Sequence, residues 1–156
     1  METFTISQID NIVVKKGTEV FLTVKRKFSF RVKSFFYQES KLIFEADMLT
    51  LSLYKKVRVR HQDFPFAIEM HKANLWTYSL FCNSDTYSFK VRYFKRPAFV
   101  LLKNGIEVAT IGGKSLISFG GRFYTMESNL ESKEENTLLL IMFLSQLNPF
   151  GAGNPP

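Results

Sequence analysis

The chain has 156 residues, of which 46% are hydrophobic and 15% aromatic, so it can bury the core of one domain and is not generally disordered. Its formal net charge of +7 favours an anionic partner, but charge alone does not choose among nucleic acid, anionic lipid and acidic protein. Its only cysteine, Cys82, excludes an intramolecular disulfide and fits a reducing compartment such as the cytosol.

The first segment, "METFTISQIDNIVVKKG", lacks a basic start followed by an apolar core, so we expect no signal peptide. We interpret "METFTISQ" as an edge strand or an arm. The next stretch, "EVFLTVKRKFSFRVKSFF", places Phe28, Phe30 and Val32 on one face and Arg31 and Lys33 on the other. This period of two is typical of β-strands with one buried and one solvated face.

The same alternation continues through the middle of the chain. In "KKVRVRH", Val57 and Val59 alternate with three cations, Lys56, Arg58 and Arg60. The pattern recurs in "TYSFKVRYF", where aromatic residues and a valine alternate with polar and basic ones. Both segments predict strands with a basic outer face.

Glycines divide the later strands. Asn104-Gly105 tolerates the positive φ angles of a two-residue type I′ turn, so it predicts a hairpin between "AFVLLK" and "IEVATI". We interpret Gly112-Gly113 and Gly120-Gly121 as further turns on either side of "KSLISF". Together the segments predict roughly ten to twelve short strands in an antiparallel barrel or sandwich.

The segment "ESKEENTLLLIMFLSQLN" departs from this period and predicts a helix. Ser132 and Glu135 have capping-box spacing, in which the serine accepts the amide of the third helical residue and the glutamate reaches back. Residues 138–144 are all apolar, so the helix has no polar face and must be buried on all sides, as inside a β-barrel. The run is far shorter than the roughly 20 residues of a membrane-spanning helix, so we expect no transmembrane segment. The competing interpretation is a buried strand.

The chain shows no interdomain linker and no low-complexity block. We therefore expect a single domain over residues 1–150, with the strands and the terminal helix sharing one core. The segment "GAGNPP", residues 151–156, offers little that can pack, and we expect a frayed tail.

The end of the chain resembles a known group of proteins. The stretch "LLKNGIEVATIGGKSLISFGGRFYTMESNLESKEENTLLLIMFLSQLN", residues 101–148, runs as a hairpin, an aromatic strand, an acidic break and an apolar helix. This order is similar to the end of domains in the tubby C-terminal-like superfamily, which includes tubby domains, phospholipid scramblases and LURP-one-related proteins. The first half matches only in its aromatic strands. The resemblance implies a closed antiparallel barrel of about twelve strands around a buried hydrophobic C-terminal helix.

The resemblance also implies classes of function. Tubby domains bind phosphoinositides through basic residues on the barrel surface, and scramblase-like members associate with membranes. This chain has no cysteine-rich stretch for palmitoylation and no proline-rich arm, which argues against a scramblase. The tubby ligand residues do not align with this chain, so none is carried over.

Patterns that would indicate catalysis or metal binding are weak. His61 and His71 stand ten residues apart, but a zinc site needs three or four converging ligands, so surface histidines are the better interpretation. Cys82 lies at the end of an apolar strand, as a structural thiol does. The sequence contains no Gly-x-Ser-x-Gly elbow and no phosphate loop. We therefore expect no enzyme activity, no metal and no cofactor.

Basic clusters are the strongest functional pattern in the sequence. They include Lys25-Arg26-Lys27, Arg31 and Lys33, and we select as candidate anion- or phospholipid-binding residues Lys55, Lys56, Arg58, Arg60, Lys95 and Arg96. Successive cations at 56, 58 and 60 lie about 6–7 Å apart on one strand face, so several can reach one multivalent head group. The alternative is a solvated outer strand, rich in lysine to discourage edge pairing.

The sequence thus favours a non-enzymatic binding or adaptor domain that engages anionic phospholipid or phosphoinositide head groups through a basic barrel face. The alternative is a structural or protein-interaction domain whose charge serves solubility only. The expected partner is an anionic membrane surface or an acidic protein. Nucleic acid is not expected, because most aromatic residues fall on the core side and no RNA-recognition signature is present. We expect a cytoplasmic protein that attaches peripherally to a membrane.

Overall fold

The fold is an antiparallel β-sheet with a C-terminal helix. The computed structural model describes residues 1–27, 31–49, 57–65, 68–72, 77–82, 84–92, 96–116 and 121–145. Twelve strands and one helix lie in these ranges: β1 (Glu2–Gln8), β2 (Ile12–Lys16), β3 (Glu19–Lys27), β4 (Arg31–Gln38), β5 (Lys41–Leu49), β6 (Val57–Gln62), β7 (Ile68–Lys72), β8 (Thr77–Cys82), β9 (Asp85–Val91), β10 (Phe99–Lys103), β11 (Ile106–Leu116), β12 (Gly121–Ser128) and α1 (Lys133–Leu144).

The sheet consists of two six-stranded meanders joined by the first and last strands. Its hydrogen-bonded order is β6-β5-β4-β3-β2-β1-β12-β11-β10-β9-β8-β7. Strand β1 pairs with β2 on one side and with β12 on the other, so the expectation of an edge strand or an arm at the N-terminus is wrong. Strands β6 and β7 are the two edges, and no backbone pairing joins them within the described ranges.

The meander gives the sheet two distinct ends. Strands β1, β3 and β5 and helix α1 all finish at one end, which we call the far end. The turns at residues 17–18, 39–40 and 104–105 lie at the opposite end, where Ser132 precedes α1, and we call this the cap end. Because successive strands are antiparallel, every second turn falls at the same end.

Helix α1 is surrounded by the sheet. All seven residues from Leu138 to Leu144 are at most 1% exposed, and they span nearly two turns, so every side of the helix is covered. In the first meander, Gln38 donates to Thr137 over 3.0 Å. In the second, three rings of different strands pack on Phe143 with centroids 5.2–6.1 Å away: Phe89, Phe99 and Tyr124. The expectation of an antiparallel β fold with one C-terminal helix is confirmed.

Polar contacts fix both ends of α1. The Ser132 hydroxyl accepts the backbone N–H of Glu135 at 3.2 Å, as the capping-box spacing predicts. The Glu135 carboxylate does not reach back, because it accepts hydrogen bonds from Tyr87 and Lys103 on the sheet. At the far end, Arg26 donates to the carbonyl of Leu144 at 2.6 Å, which places a cation at the negative end of the helix dipole. Burial lowers the pKa of Arg26 to about 10.

Two glycine-based predictions had different outcomes. Asn104 and Gly105 have φ angles of 51° and 82°, which confirms the tight turn between β10 and β11. The prediction of a turn at Gly112-Gly113 is wrong, because both residues lie within β11. A Cβ atom on Gly113 would lie 2.6 Å from the ring of Tyr124, so this glycine serves close aromatic packing.

Some predictions concern residues beyond the described ranges. Lys55, Lys56 and Lys95 lie there, as does the 151–156 tail. The structure therefore tests neither their roles nor the expected end of the domain at residue 150. In the part of the chain that is described, no helix is long and apolar enough to cross a membrane.

Candidate functional site

A row of charged residues crosses the outer face of strands β3 to β6. Backbone pairing places Lys27 opposite Lys33, Lys33 opposite Asp47, and Asp47 opposite Arg58. Directly paired residues project to the same face of a sheet. Neighbouring strands lie about 4.8 Å apart, so the row is about 14 Å wide.

The alternation of the strands sets this row on the outside. Val24, Phe36 and Ala46 occupy the intervening positions and belong to the buried core. Their side chains take the inner face, so the residues between them take the outer face. The fold thus converts four separate stretches of sequence into one surface.

Asp47 lies at the centre of the row and is almost covered, with 3% of its side chain exposed. Arg60 donates to Oδ2 of Asp47 from Nε at 3.0 Å and from a terminal nitrogen at 2.8 Å, and Arg31 lies 3.6 Å from the same oxygen. Burial alone would raise the pKa of Asp47, but the hydrogen bond from Arg60 and the charges of Arg60, Arg31 and Arg58 outweigh it and hold the pKa below its usual value. Asp47 therefore stays ionised and positions the arginines around it.

Two lysines of the same surface lie over aromatic rings. The ammonium nitrogen of Lys25 is 5.5 Å from the ring centre of Tyr37, and that of Lys27 is 5.6 Å from the ring centre of Phe35. Such contacts contribute about 0.5–1 kcal/mol at exposed sites. The rings hold these ammonium groups close to the sheet and still accessible to solvent.

We call this surface the basic face. It consists of Lys25, Lys27, Arg31, Lys33, Arg58 and Arg60. Two carboxylates lie among these cations, Asp47 and the half-exposed Glu45, so the surface keeps a clear positive excess. Among the described residues, no carboxylate forms a salt bridge with Lys25, Lys27, Lys33 or Arg58. The face can therefore bind a multivalent anion with cations that are not already neutralised.

A groove of about 400 Å³ continues the basic face toward the cap end. Its lining residues come from β3, β4 and the turn that follows β4: Val20, Phe21, Thr23, Lys25, Tyr37, Glu39 and Ser40. The turn residues Glu39 and Ser40 have positive φ angles of 48° and 68°, which is uncommon for non-glycine residues. The groove offers an apolar and aromatic floor beside the ammonium group of Lys25.

The structure separates the residues that sequence reasoning selected. Arg58 and Arg60 share the basic face, but Arg58 is exposed whereas Arg60 is bound to Asp47. Arg96 lies in the other meander, where it lines a groove of about 470 Å³ with Gly112, Phe123 and other residues. The three selected cations that the structure describes therefore do not lie together.

Sequence reasoning noted four cations of the basic face as basic clusters without selecting them as site residues: Lys25, Lys27, Arg31 and Lys33. It missed Asp47, Phe35 and Tyr37 altogether. The alternation of "RVKSFFYQ" shows that Lys33 and Phe35 face outward together. Nothing local indicates that β5 lies between β4 and β6 and aligns Asp47 with their cations.

A second polar cluster holds α1 to the cap end of the sheet. Glu135 accepts a hydrogen bond from Tyr87 at 2.7 Å and pairs with Lys103, which also lies 3.3 Å from Asp85. Its members satisfy one another, so this cluster anchors the helix. In the described ranges, no group of three His, Cys, Asp or Glu residues could hold a metal ion.

Comparison of the chain with protein-family models, with curated proteins and with solved structures gives no match.

Proposed function

We propose that the protein is a non-enzymatic binding module that attaches to anionic phospholipid surfaces through its basic face. The observation that carries this proposal is the row from β3 to β6, where Asp47 is buried among Arg31, Arg58 and Arg60 and three lysines lie on the same face. Several head groups side by side, or one head group with several phosphates, present a multivalent anion, and a row about 14 Å wide can contact more than one phosphate. The expected location is the cytoplasmic face of a membrane.

The arrangement of the arginines supports phosphate as the chemical group bound. Arginine donates in a planar fork that matches phosphate oxygens, and this geometry is most effective when the side chain is held in place. Asp47 holds Arg60 and contacts Arg31, so part of the ordering cost is met before a ligand arrives. Arg58 and Lys33 beside them supply unpaired charge.

The lysine–ring pairs support a membrane rather than a dissolved ion. Aromatic side chains with one polar and one apolar part suit the boundary between head groups and lipid tails. Phe35 and Tyr37 are half-buried on the outer face, directly below Lys27 and Lys25. Together they offer the lipid surface positive charge, the amphipathic ring of Tyr37 and the apolar ring of Phe35.

We also propose that the sheet closes between β6 and β7 into a barrel of the tubby C-terminal-like type. Burial of α1 on all sides supports closure, since an open sheet would leave one side of the helix in water. The resemblance over residues 101–148 supports the same fold. The phosphoinositide binding of tubby domains makes inositol phospholipids the first anionic lipids to test.

Sedimentation with lipid vesicles tests the proposed function. We expect binding to anionic vesicles, weak binding to neutral vesicles, and a loss of binding at high salt, because exposed charges are screened within about 10 Å at 0.1 M salt. A double variant of the basic face, Lys33→Gln with Arg58→Gln, should lower the partition coefficient about 30-fold, since each cation near an anionic leaflet contributes roughly 1 kcal/mol.

A matched control removes the same charge from another exposed site. Lys15→Gln with Lys16→Gln changes two exposed lysines of β2 at the cap end and should bind almost as the unmodified protein does. If anionic vesicles bind no better than neutral ones at low salt, the proposal is wrong. That result would favour a structural or protein-interaction domain whose charge serves solubility.

A further inference from the structure

The fold sorts the acidic residues toward one end of the sheet. Nine acids with described side chains lie in the turns, strand termini or helix start of the cap end: Glu2, Glu19, Glu39, Asp63, Asp85, Glu127, Glu131, Glu134 and Glu135. Of the other described acids, Glu45 is central in β5, Glu107 is paired with Arg92, and Asp10 and Asp47 lie toward the far end. Among the described residues, five cations share the cap end: Lys15, Lys16, Lys41, Lys103 and Lys133.

The cations are sorted in the opposite direction. Nine lysines and arginines with described side chains lie toward the far end: Lys25, Arg26, Lys27, Arg31, Lys33, Arg58, Lys90, Arg96 and Arg122. Arg60 is central in β6, and Arg92 is paired with Glu107. Only Asp10 and Asp47 oppose the nine cations, so the described far end carries a formal charge of +7 and the described cap end −4. The described residues therefore form an electrostatic dipole along the strands.

Far-end cations extend well beyond the basic face. Lys90, Arg92 and Arg96 are exposed and belong to β9 and the connection to β10, in the other meander. Arg92 is paired with Glu107 at 2.8 Å, whereas Lys90 and Arg96 form no salt bridge among the described residues. Positive charge is thus present on both halves of the sheet that encloses α1.

The separation of these cations excludes one small anion as their common ligand. A sheet packs about 10 Å from the layer it covers, so strands on opposite sides of a central helix lie about 20 Å apart. A single phosphate group spans only a few ångströms, and cations on both sides cannot reach it together. A planar anionic surface can face both sides at once.

We infer that the far end of the sheet is a membrane-docking surface. In this orientation the far end faces an anionic bilayer and the cap end faces away from it. This inference rests on the proposed function and adds the orientation of the bound protein. An anionic leaflet attracts the far end and repels the acid-rich cap end, so the dipole orients the protein before contact. The basic face is then one part of a larger cationic rim.

The test uses cations that are outside the basic face but at the far end. Lys90→Gln with Arg96→Gln should lower partition onto vesicles rich in phosphatidylserine about 30-fold, as the Lys33/Arg58 pair does. The cap-end pair, Lys15→Gln with Lys16→Gln, should change it little. Binding of inorganic phosphate should be unaffected by the Lys90/Arg96 change. Each variant should keep the circular dichroism spectrum and urea midpoint of the unmodified chain, since all six positions are exposed.

The outcomes separate this inference from the proposed function. If only the Lys33/Arg58 pair weakens vesicle binding, the basic face acts alone and end-on docking is wrong, while the proposed function stands. If neither pair weakens it, both are wrong. If a single-stranded RNA binds more tightly than the vesicles and is lost in both far-end variants, the rim is a nucleic-acid surface and the inference is overturned.

Discussion

Gly113 shows how a single residue sets the packing between sheet and helix. The ring of Tyr124 occupies the space in which a side chain at position 113 would begin, with Cδ1 at 2.6 Å from the ideal Cβ position. The same ring packs on Phe143 of α1 at a centroid distance of 5.2 Å. The ring cannot move away from residue 113 without disturbing the contact that helps to hold the helix.

We predict that Gly113→Ala lowers the free energy of unfolding by about 1–3 kcal/mol, the usual cost of overpacking. Gly112→Ala is the matched control, because nothing lies within 4 Å of its added Cβ and its φ angle is not positive. The control should be neutral or slightly stabilising, by about 0.4–1 kcal/mol, because alanine restricts the unfolded chain. Urea denaturation at pH 7 measures both. Equal stability of the two variants would contradict this account of Gly113.

The structural role of a residue can be predicted from the sequence only where a local rule applies. Asn104 and Gly105 predict a tight turn because a two-residue turn with positive φ angles needs such residues. Gly113 has a similar sequence signature, but its reason is a ring eleven positions away in β12. Asp47 reads as an ordinary polar residue on a strand, and its role depends on arginines from two other strands.

The helix is the element on which the fold depends most. Its burial could be predicted, because an uninterrupted apolar run behind a capping serine has no surface that water could favour. Its anchors could not, since Tyr87, Lys103 and Arg26 come from β9, β10 and β3 and meet α1 only in the folded chain. The pairing of β1 with β12 could not be predicted for the same reason, because these strands are adjacent only in the folded chain.

The anchor at Glu135 should make stability depend on pH. Burial would raise the pKa of the Glu135 carboxyl, but hydrogen bonds from Lys103 and Tyr87 outweigh it and lower the pKa below its usual value. A carboxyl whose pKa is lower in the folded state contributes stability above its unfolded pKa, about 4.3, and loses it as pH falls through the folded pKa. The contribution is therefore complete at neutral pH and disappears in acid.

We predict that Glu135→Gln destabilises the protein by about 1–2 kcal/mol at pH 7, because a charged hydrogen-bond acceptor is lost. The difference from the unmodified protein should shrink as the pH falls below the unfolded pKa of glutamate, about 4.3, and disappear once the native carboxyl is protonated. Urea midpoints measured from pH 7 to pH 3 give both values. Glu131→Gln, at an exposed position before the helix, is the control. A Glu135→Gln deficit that is the same at every pH would show that the charge is not the cause.

At the scale of the whole molecule, the decisive property is the sorting of charge between the two ends. The sequence shows basic clusters and an acidic break in linear order. Which clusters lie at the same end of the sheet is known only once the strands are folded into meanders, because each strand carries the chain from one end to the other. The sequence therefore predicts a basic surface but not the end of the sheet at which it lies.

The most direct measurement is hydrogen exchange of the full chain with and without anionic vesicles. Far-end docking predicts slower amide exchange on binding in the far-end segments 9–11 and 96–98, and unchanged exchange in the cap-end turns 17–18 and 104–105. The same segments without vesicles, and with neutral vesicles, are the controls. Protection of the cap-end turns, or equal protection at both ends, would contradict the central claim that the cationic end of the sheet faces the membrane.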